Sequence, residues 1–307
     1  MTGAGTLHLG EFLPPLLACV VYLWVYQRRA RTLSSRGVPP ATWRRISFAA
    51  GVLLTTLVQI PPIDDVADKV LIAHVLQHIA IGDIASLLLV LGVTGPMLAP
   101  LLRIRVTRPL RRLASPPVAL ALWSLDLYGW HVPLLYQWAI KNDLAHALEH
   151  ACLLWFGILL WLALLGPLPK PRWFSSWARL GYVVVVRFVG AILANALIWA
   201  QTVFYPVYKA SDAARGLNPL SDQNLAGALM MFEQIFLTVG LLAWLFFRAA
   251  RQDEDRQSLL DFAAQRNLPL SEQRAALAAT AGTADQLRER LIGDGRSAAG
   301  DADPLHG

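Results

Sequence analysis

Long apolar stretches separated by short polar joints dominate the first 250 residues of the chain. A helix that crosses a membrane needs about 20 consecutive, mostly apolar residues. Proline-rich joints, such as those at 38–40 and 166–171, are expected to end helices, because proline lacks a backbone donor and clashes with the preceding turn. The third apolar stretch is long, so its end is expected to be a bent or interfacial piece. The pattern predicts seven spans, at about 11–27, 46–62, 70–102, 116–140, 144–166, 180–206 and 223–248.

Basic residues alternate from joint to joint, and this alternation predicts the orientation. The joint after the first span carries six arginines and the joint after the third carries five, whereas the joints after the second, fourth and sixth spans carry at most two basic residues each. Basic joints stay on the cytoplasmic side. We therefore predict an all-α, polytopic membrane protein of seven transmembrane helices, with its N-terminus outside and its C-terminus in the cytoplasm.

The composition changes after about residue 250, which predicts two parts. Residues 1–249 form the predicted seven-helix transmembrane domain. Residues 250–307 form a predicted polar cytoplasmic tail, with a short amphipathic helix at 257–280 and about 25 final residues without fixed structure.

The overall composition supports the membrane class. The chain is 55% hydrophobic and 16% charged, whereas soluble domains average about 45–50% and about 25%. The net charge of +6 follows from arginines retained on one side of a membrane, so it does not indicate nucleic-acid binding. The two cysteines, Cys19 and Cys152, lie in apolar runs and form no CxxC motif, which excludes a disulfide framework.

Histidines are concentrated in one predicted layer of the membrane. Five of the seven lie at 74–78, 131 and 146–150, and at about 1.5 Å per helical residue all five fall within roughly 12 Å of the outer boundary. Two of these stretches are HxxxH, which places two imidazoles on one helix face. A single interfacial histidine is usually structural, but this combination predicts a metal or haem site formed by His74, His78, His131, His146 and His150.

Several other side chains are candidate helpers of this site. Glu149 lies between two of the histidines and is a candidate acceptor that orients an imidazole. Asp222 begins the seventh span, and Met230 and Met231 follow two turns later. Thioether sulfur is a soft ligand that favours Cu(I), although such methionines more often serve simple packing.

Four ionisable residues are predicted deeper in the membrane. Asp83, Asp126 and Arg187 fall at similar depth, so we predict an intramembrane charge pair between Arg187 and one or both aspartates. Structural pairing is the favoured interpretation, and a proton or ion path is the alternative. Glu233 lies near the middle of the seventh span, where the sequence indicates no basic partner.

Six segments together resemble the CtaG-type, or caa-type, cytochrome c oxidase assembly factors, a bacterial family of multi-span membrane proteins. The resemblance covers about residues 70–250, with a looser match in the first two spans. HxxQH, WHxPxLY, HALEH and the DQ pair before a glycine-containing span are specific only in combination. The segments are HVLQHIAIGDIASLLLVLGVTGP, LYGWHVPLLYQWAI, HALEHACLLWFGILLW, LGPLPKP, GYVVVVRFVGAILANALIWAQTVFYPVY and LSDQNLAGALMMFEQ.

The resemblance implies a non-enzymatic assembly factor for a haem–copper oxidase in the bacterial inner membrane. It implies transient copper binding near the outer face and delivery to oxidase subunits or a copper chaperone, with membrane lipid as the surroundings and no nucleic acid as partner. Two alternatives stay open. One is a haem-binding redox protein, although histidines at i and i+4 on one helix cannot both be axial ligands of one haem. The other is a metal transporter, for which no inverted repeat is visible.

Overall fold

A computed structural model describes residues 9–104, 112–171 and 173–300. Every regular element in these ranges is a helix, which confirms the all-α class. The helices are α1 (Leu9–Ser34), α2 (Thr42–Leu57), α3 (Pro61–Ala67), α4 (Leu71–Ile79), a π-helix (Ala80–Ala85), α5 (Ser86–Gly92), α6 (Gly95–Arg103), α7 (Pro116–Trp130), α8 (Pro133–Ile140), α9 (Asp143–Leu164), α10 (Ser176–Ile198), a 3₁₀ helix (Pro206–Tyr208), α11 (Lys209–Ala214), α12 (Pro219–Gln265), α13 (Glu272–Ala281) and α14 (Ala284–Gly300).

Four helical segments of the described chain are long and apolar enough to cross a membrane, and two bent pairs raise the number to six if each pair is one span. The bent pairs are α2 with α3, at 64°, and α7 with α8, at 72°. The four long segments are Leu71–Gly92, Asp143–Leu164, Ser176–Ile198 and Pro219–Gln265. The chain therefore has the helices of a membrane protein, while α1, which contains the first predicted span, is not among these segments.

Proline breaks two of the stretches that the apolar pattern joined. The predicted span 116–140 is two helices, because Pro133 begins α8 and the residue before it, Val132, is extended, as steric contact with a proline ring requires. The predicted span 46–62 is interrupted in the same way before Pro61. The first break leaves His131 at the bend rather than inside a straight helix.

The third span contains a π-helix, which the sequence pattern does not reveal. α4, the π-helix and α5 together form the segment Leu71–Gly92, and the predicted end of this span is the separate helix α6. Single π turns inside α-helices often occur at functional sites. Here the π-helix begins two residues after His78 and contains Asp83.

An apolar cluster connects the helices around the histidine region. It consists of buried side chains from α4, α8, α10, α12 and the segment after α10, among them Leu71, Val75, Leu193, Leu197 and Met230. Three buried tyrosines complete it, and the hydroxyls of Tyr136 and Tyr208 are 3.2 Å apart. The cluster lies next to His74, whose ring is 5.3 Å from the Tyr136 ring.

A close approach of two backbones fixes α9 against the π-helix. A Cβ atom placed on Gly157 would meet the Gly82 carbonyl and lie 2.8 Å from the Ser86 hydroxyl. Only glycine allows this separation. The contact sets the distance between the helix that carries His146 and the segment that carries His78.

The chain divides into two compact units, Met1–Thr238 and Val239–Gly307. The second has its own small core, which includes Leu259, Ala275 and Leu287. α12 extends to Gln265, so the predicted amphipathic segment at 257–280 is the end of α12 followed by α13. α14 lies within the final 25 residues, where the sequence indicated no fixed structure, and residues 301–307 lie outside the described ranges.

Candidate metal centre

Two helices place four histidines side by side. His74 and His78 lie one turn apart on α4, and His146 and His150 lie one turn apart on α9. The ring centroids are 4.1 Å apart within the first pair and 4.3 Å apart within the second. Across the helices, the rings of His74 and His146 are 5.2 Å apart and those of His78 and His150 are 5.4 Å apart.

Glu149 joins these histidines in a compact ligand set. One ligand atom from each of His74, His78, His146 and Glu149 lies within 4.8 Å of the other three, and the four residues are called the buried ligand set below. The Glu149 oxygen Oε1 is 3.8 Å from Nε2 of His78. The sequence suggested an accessory role for this carboxylate, whereas the geometry puts it among the candidate ligands.

The polar atoms of the buried ligand set lack hydrogen-bond partners. Both nitrogens of His74 and of His78, both oxygens of Glu149 and Nε2 of His146 are buried without one. His74 and Glu149 are fully buried, at 0% exposure. Buried polar atoms are nearly always paired in folded proteins, so a group of unpaired ones is a candidate site for an ion or water.

Local sequence explains why α9 presents its histidines in this way. The Asn142 side chain caps the helix by accepting a hydrogen bond from Ala145 N at 2.9 Å, so α9 begins one turn before His146. A capped start fixes the rotation of the first turns. Residues 146, 149 and 150 then share the buried face of the helix.

The remaining predicted histidines lie differently. His150 packs against the other three rings, and its Nε2 is buried without a partner, but it does not belong to the compact set. His131 lies at the α7–α8 bend, where Nδ1 contacts the Leu127 carbonyl at 2.7 Å. Its own carbonyl accepts a hydrogen bond from Tyr205 at 3.0 Å. The structure thus brings four of the five predicted histidines together and gives His131 a separate place.

Asp222 contacts the start of α4 and not the histidines that it was predicted to assist. Its oxygens accept hydrogen bonds from Leu71 N at 2.8 Å and from Ile72 N at 3.3 Å. The start of α4 has no side-chain cap of its own, so a residue on α12 caps the helix that carries His74. Asp222 positions the site from outside the ligand set.

The two methionines are not among the ligands either. Met230 is buried in the apolar cluster, and Met231 is half-buried and packs against it. Met230 also lines a cavity of about 40 Å³ that reaches His78, His131, Asp126 and Glu233. No soft sulfur donor therefore lies in the buried ligand set.

A second group, which sequence reasoning missed, includes two aspartates near the start of α4. Asp64, Asp68 and His146 each offer a ligand atom within 4.8 Å of the others, and they are called the rim ligand set below. Burial raises the pKa of the Asp68 carboxyl, while a charged His146 would lower it. The signal was available as DDVAD, six residues before His74, but the sequence does not show that this joint folds towards α9.

Gln77 connects the two sets. Its Nε2 donates to Asp64 Oδ1 at 2.6 Å and to the Val58 carbonyl at 2.7 Å. Because Gln77 lies between His74 and His78, this amide attaches α3 to the histidine-bearing helix.

Arg187 holds the deeper charges together. Its guanidinium contacts Asp83 at 3.4 Å and Glu233 at 3.1 Å, and it also donates to Gln234. The sequence paired Arg187 with Asp83 and Asp126 and left Glu233 without a basic partner. In the described structure Asp126 lines the cavity instead, and Glu233 takes the second place on the arginine.

The comparison with family models agrees with the resemblance seen in the motifs. The model described as cytochrome c oxidase caa3 assembly factor (Caa3_CtaG) matches residues 20–252, which is well over half of the chain. No curated protein and no solved structure matches the chain. The matched range contains both ligand sets and the Arg187 contacts. The chain belongs to the cytochrome c oxidase caa3 assembly factor family.

Proposed function

We propose that the protein assists oxidase assembly as a non-enzymatic copper carrier. It holds a copper ion transiently in the buried ligand set and passes it to an oxidase subunit or to a copper chaperone. The observation that carries this proposal is the group of unpaired, buried polar atoms whose ligand atoms lie within 4.8 Å of one another. An ion bound there would satisfy atoms that otherwise cost stability.

The donor chemistry supports a divalent ion. Three imidazoles and one carboxylate suit copper and zinc, and Cu²⁺ binds such sites most tightly among the common divalent metals. The methionine sulfurs that would favour Cu(I) lie outside the set. We therefore favour Cu²⁺ as the cargo, and the assembly of a copper-containing oxidase supplies the biological reason for copper rather than zinc.

We further propose seven spans in a bacterial inner membrane, with α1 as the first and the two bent pairs as one span each. The alternating basic joints support an outside N-terminus and a cytoplasmic C-terminus. With this orientation the buried ligand set lies in the outer half of the membrane, near the outer face. Extracytoplasmic copper would then reach the site without crossing the membrane.

The geometry favours an ion over a haem. The histidine rings pack directly against one another, with centroids 4.1–6.3 Å apart, and the cavity beside them is about 40 Å³. Axial ligands must lie on opposite faces of a macrocycle, for which these rings leave no space. A transporter would need a path past Arg187, whose partners Asp83 and Glu233 both line the cavity.

The direct test is Cu²⁺ binding by the purified protein in detergent. We expect about one tightly bound copper per chain, measured by elemental analysis after gel filtration, and its loss in a His74→Ala/His78→Ala variant. His131→Ala is the matched control, because it removes a histidine outside the buried ligand set and should keep the ion. Absence of copper in the wild type would overturn the carrier proposal.

A cellular test addresses assembly itself. Cells that lack the gene should assemble an oxidase deficient in copper, and the wild-type gene or the His131→Ala variant should restore it. The His74→Ala/His78→Ala variant should not restore it although it is produced in equal amount. Full restoration by that variant would mean that assembly does not depend on the buried ligand set.

A further inference from the structure

The rim ligand set has the features of a second, more accessible metal site. Asp68 has a side chain that is 41% exposed, and Asp64 is half-buried, whereas the buried ligand set is closed to solvent. The two sets share His146. A residue common to an exposed and a buried set offers a direct connection between them.

The carboxylate of Asp64 is held in place. Gln77 donates to its Oδ1 at 2.6 Å, and the same amide is anchored to the Val58 carbonyl. Its neighbour Asp65, on the same short helix, is exposed and belongs to neither set. Asp64 is therefore positioned by a buried side chain, which an ordinary surface acid would not require.

The orientation of His146 provides a separate observation. The residue is 9% exposed, Nδ1 lies 3.8 Å from Asp68 Oδ1, and Nε2 is buried without a partner. A neutral imidazole has one lone pair for a metal. His146 can thus serve one ligand set at a time, so the two sets would hold a single ion in alternation.

We propose that Asp64, Asp68 and His146 form a capture site for a divalent cation, which then moves through His146 into the buried ligand set. Two carboxylates attract a cation and release it readily to water, while imidazoles hold copper and zinc more tightly. The ion keeps its charge throughout, so no electron donor is needed. The capture site stands on its own geometry, and only the onward transfer rests on the proposed carrier function.

The capture site is tested in the His74→Ala/His78→Ala variant, where the rim ligand set remains. With Cu²⁺ as the probe, we expect one weakly bound ion whose electron paramagnetic resonance spectrum shows a single nitrogen ligand. Adding Asp64→Asn and Asp68→Asn should abolish this signal, and adding Asp65→Asn should leave it unchanged. Absence of the single-nitrogen signal overturns the capture site, whatever the wild type binds.

The transfer step is tested by loading rate in the otherwise wild-type protein. Asp64→Asn/Asp68→Asn should load Cu²⁺ about tenfold more slowly, as expected when local negative charge is removed from an entry route, yet reach the same final stoichiometry. Stopped-flow quenching of tryptophan fluorescence measures the rate, with Asp65→Asn as control. An unchanged rate overturns the transfer but leaves the carrier function intact, whereas a wild type that loads no copper overturns the carrier function and the transfer that rests on it.

Discussion

Two buried polar clusters lie in the same helical unit, and they differ in whether their polar atoms have partners. Around Arg187, the guanidinium contacts two carboxylates and a glutamine and lies over the Trp161 ring at 5.3 Å, so that only its Nε lacks a partner. In the buried ligand set, most ring nitrogens and both oxygens of Glu149 have none. The polar atoms of one cluster are almost all paired within the protein, and most of those in the other cluster are not.

The difference separates stability from function. A complete set of buried charges holds α10, α12 and the π-helix together, and removing one member leaves the others unpaired. An incomplete set costs the metal-free protein stability, which is the expected cost of the metal binding proposed above. The two clusters are joined through the segment Leu71–Gly92, which carries His78 at the end of α4 and Asp83 in the π-helix.

The largest effect is expected from breaking the complete cluster. Arg187→Leu leaves Asp83 and Glu233 buried without a cation, and we expect a loss of about 3–5 kcal/mol in the free energy of unfolding. Denaturant or thermal unfolding in detergent measures it. The triple change with Asp83→Asn and Glu233→Gln should recover much of the loss, because no unpaired charge remains.

The control for this change is Arg36→Leu, which alters an exposed arginine and should change the unfolding free energy little. If Arg187→Leu behaved like this control, the Arg187 contacts would not stabilise the fold. The two clusters would then no longer differ in their contribution to the unfolding free energy.

A smaller effect is expected where α9 meets the π-helix. Gly157→Ala forces a methyl group against the Gly82 carbonyl and the Ser86 hydroxyl, and overpacking of this kind costs about 1–3 kcal/mol. Because the contact fixes α9 against the segment that carries His78, Cu²⁺ affinity should fall as well. Calorimetric titration and thermal unfolding report the two effects separately.

Gly129→Ala is the matched control, since a Cβ there meets nothing within 4 Å. Within α7 this change should be neutral or stabilise the helix by up to about 1 kcal/mol. Equal behaviour of the two alanine variants would show that the separation of α9 and the π-helix is not tightly fixed.

The sequence predicted the helical class and much of the buried site, because helix periodicity is local. Two HxxxH motifs at matching depth were enough to place His74, His78, His146 and His150 near one another. The same reasoning misplaced the contacts of His131, because it did not anticipate the break that Pro133 imposes between α7 and α8. Depth along a span is a one-dimensional quantity, and a 72° bend changes it.

What the sequence could not provide is which helices are neighbours. Depth along the spans favoured Asp126 over Glu233 as a partner of Arg187, and only the packing of α12 beside α10 brings Glu233 to the arginine. Asp64 and Asp68 looked like ordinary joint residues until the fold placed them beside His146. Asp222 looked like a ligand because its real partner, the start of α4, is 151 residues away in the chain.

A still smaller loss of stability is expected from removing the Asp222 cap. Asp222→Ala leaves the first amides of α4 without their acceptor, and losing a helix cap typically costs about 1 kcal/mol. Asp222→Asn keeps one acceptor oxygen and should cost less, while Ser221→Ala, an exposed neighbour, should have no effect. Since the cap orients α4, Cu²⁺ should still bind to Asp222→Ala but with lower affinity; complete loss of the ion would instead make Asp222 a ligand.

The smallest effect on stability is expected when histidines of the buried ligand set are replaced by leucine. This change is also the sharpest test of the difference between the two clusters. His74→Leu/His78→Leu replaces four unpaired nitrogens by apolar groups of similar size, and such replacements are nearly neutral or stabilising when the polar atoms had no partners. With a chelator present, the unfolding free energy of the variant should match or exceed that of the wild type. With Cu²⁺ at 100 times its dissociation constant, only the wild type should gain about 2.7 kcal/mol. If the variant lost as much stability in chelator as Arg187→Leu does, the histidines would be packing elements of the fold, and their unpaired nitrogens would no longer indicate a metal.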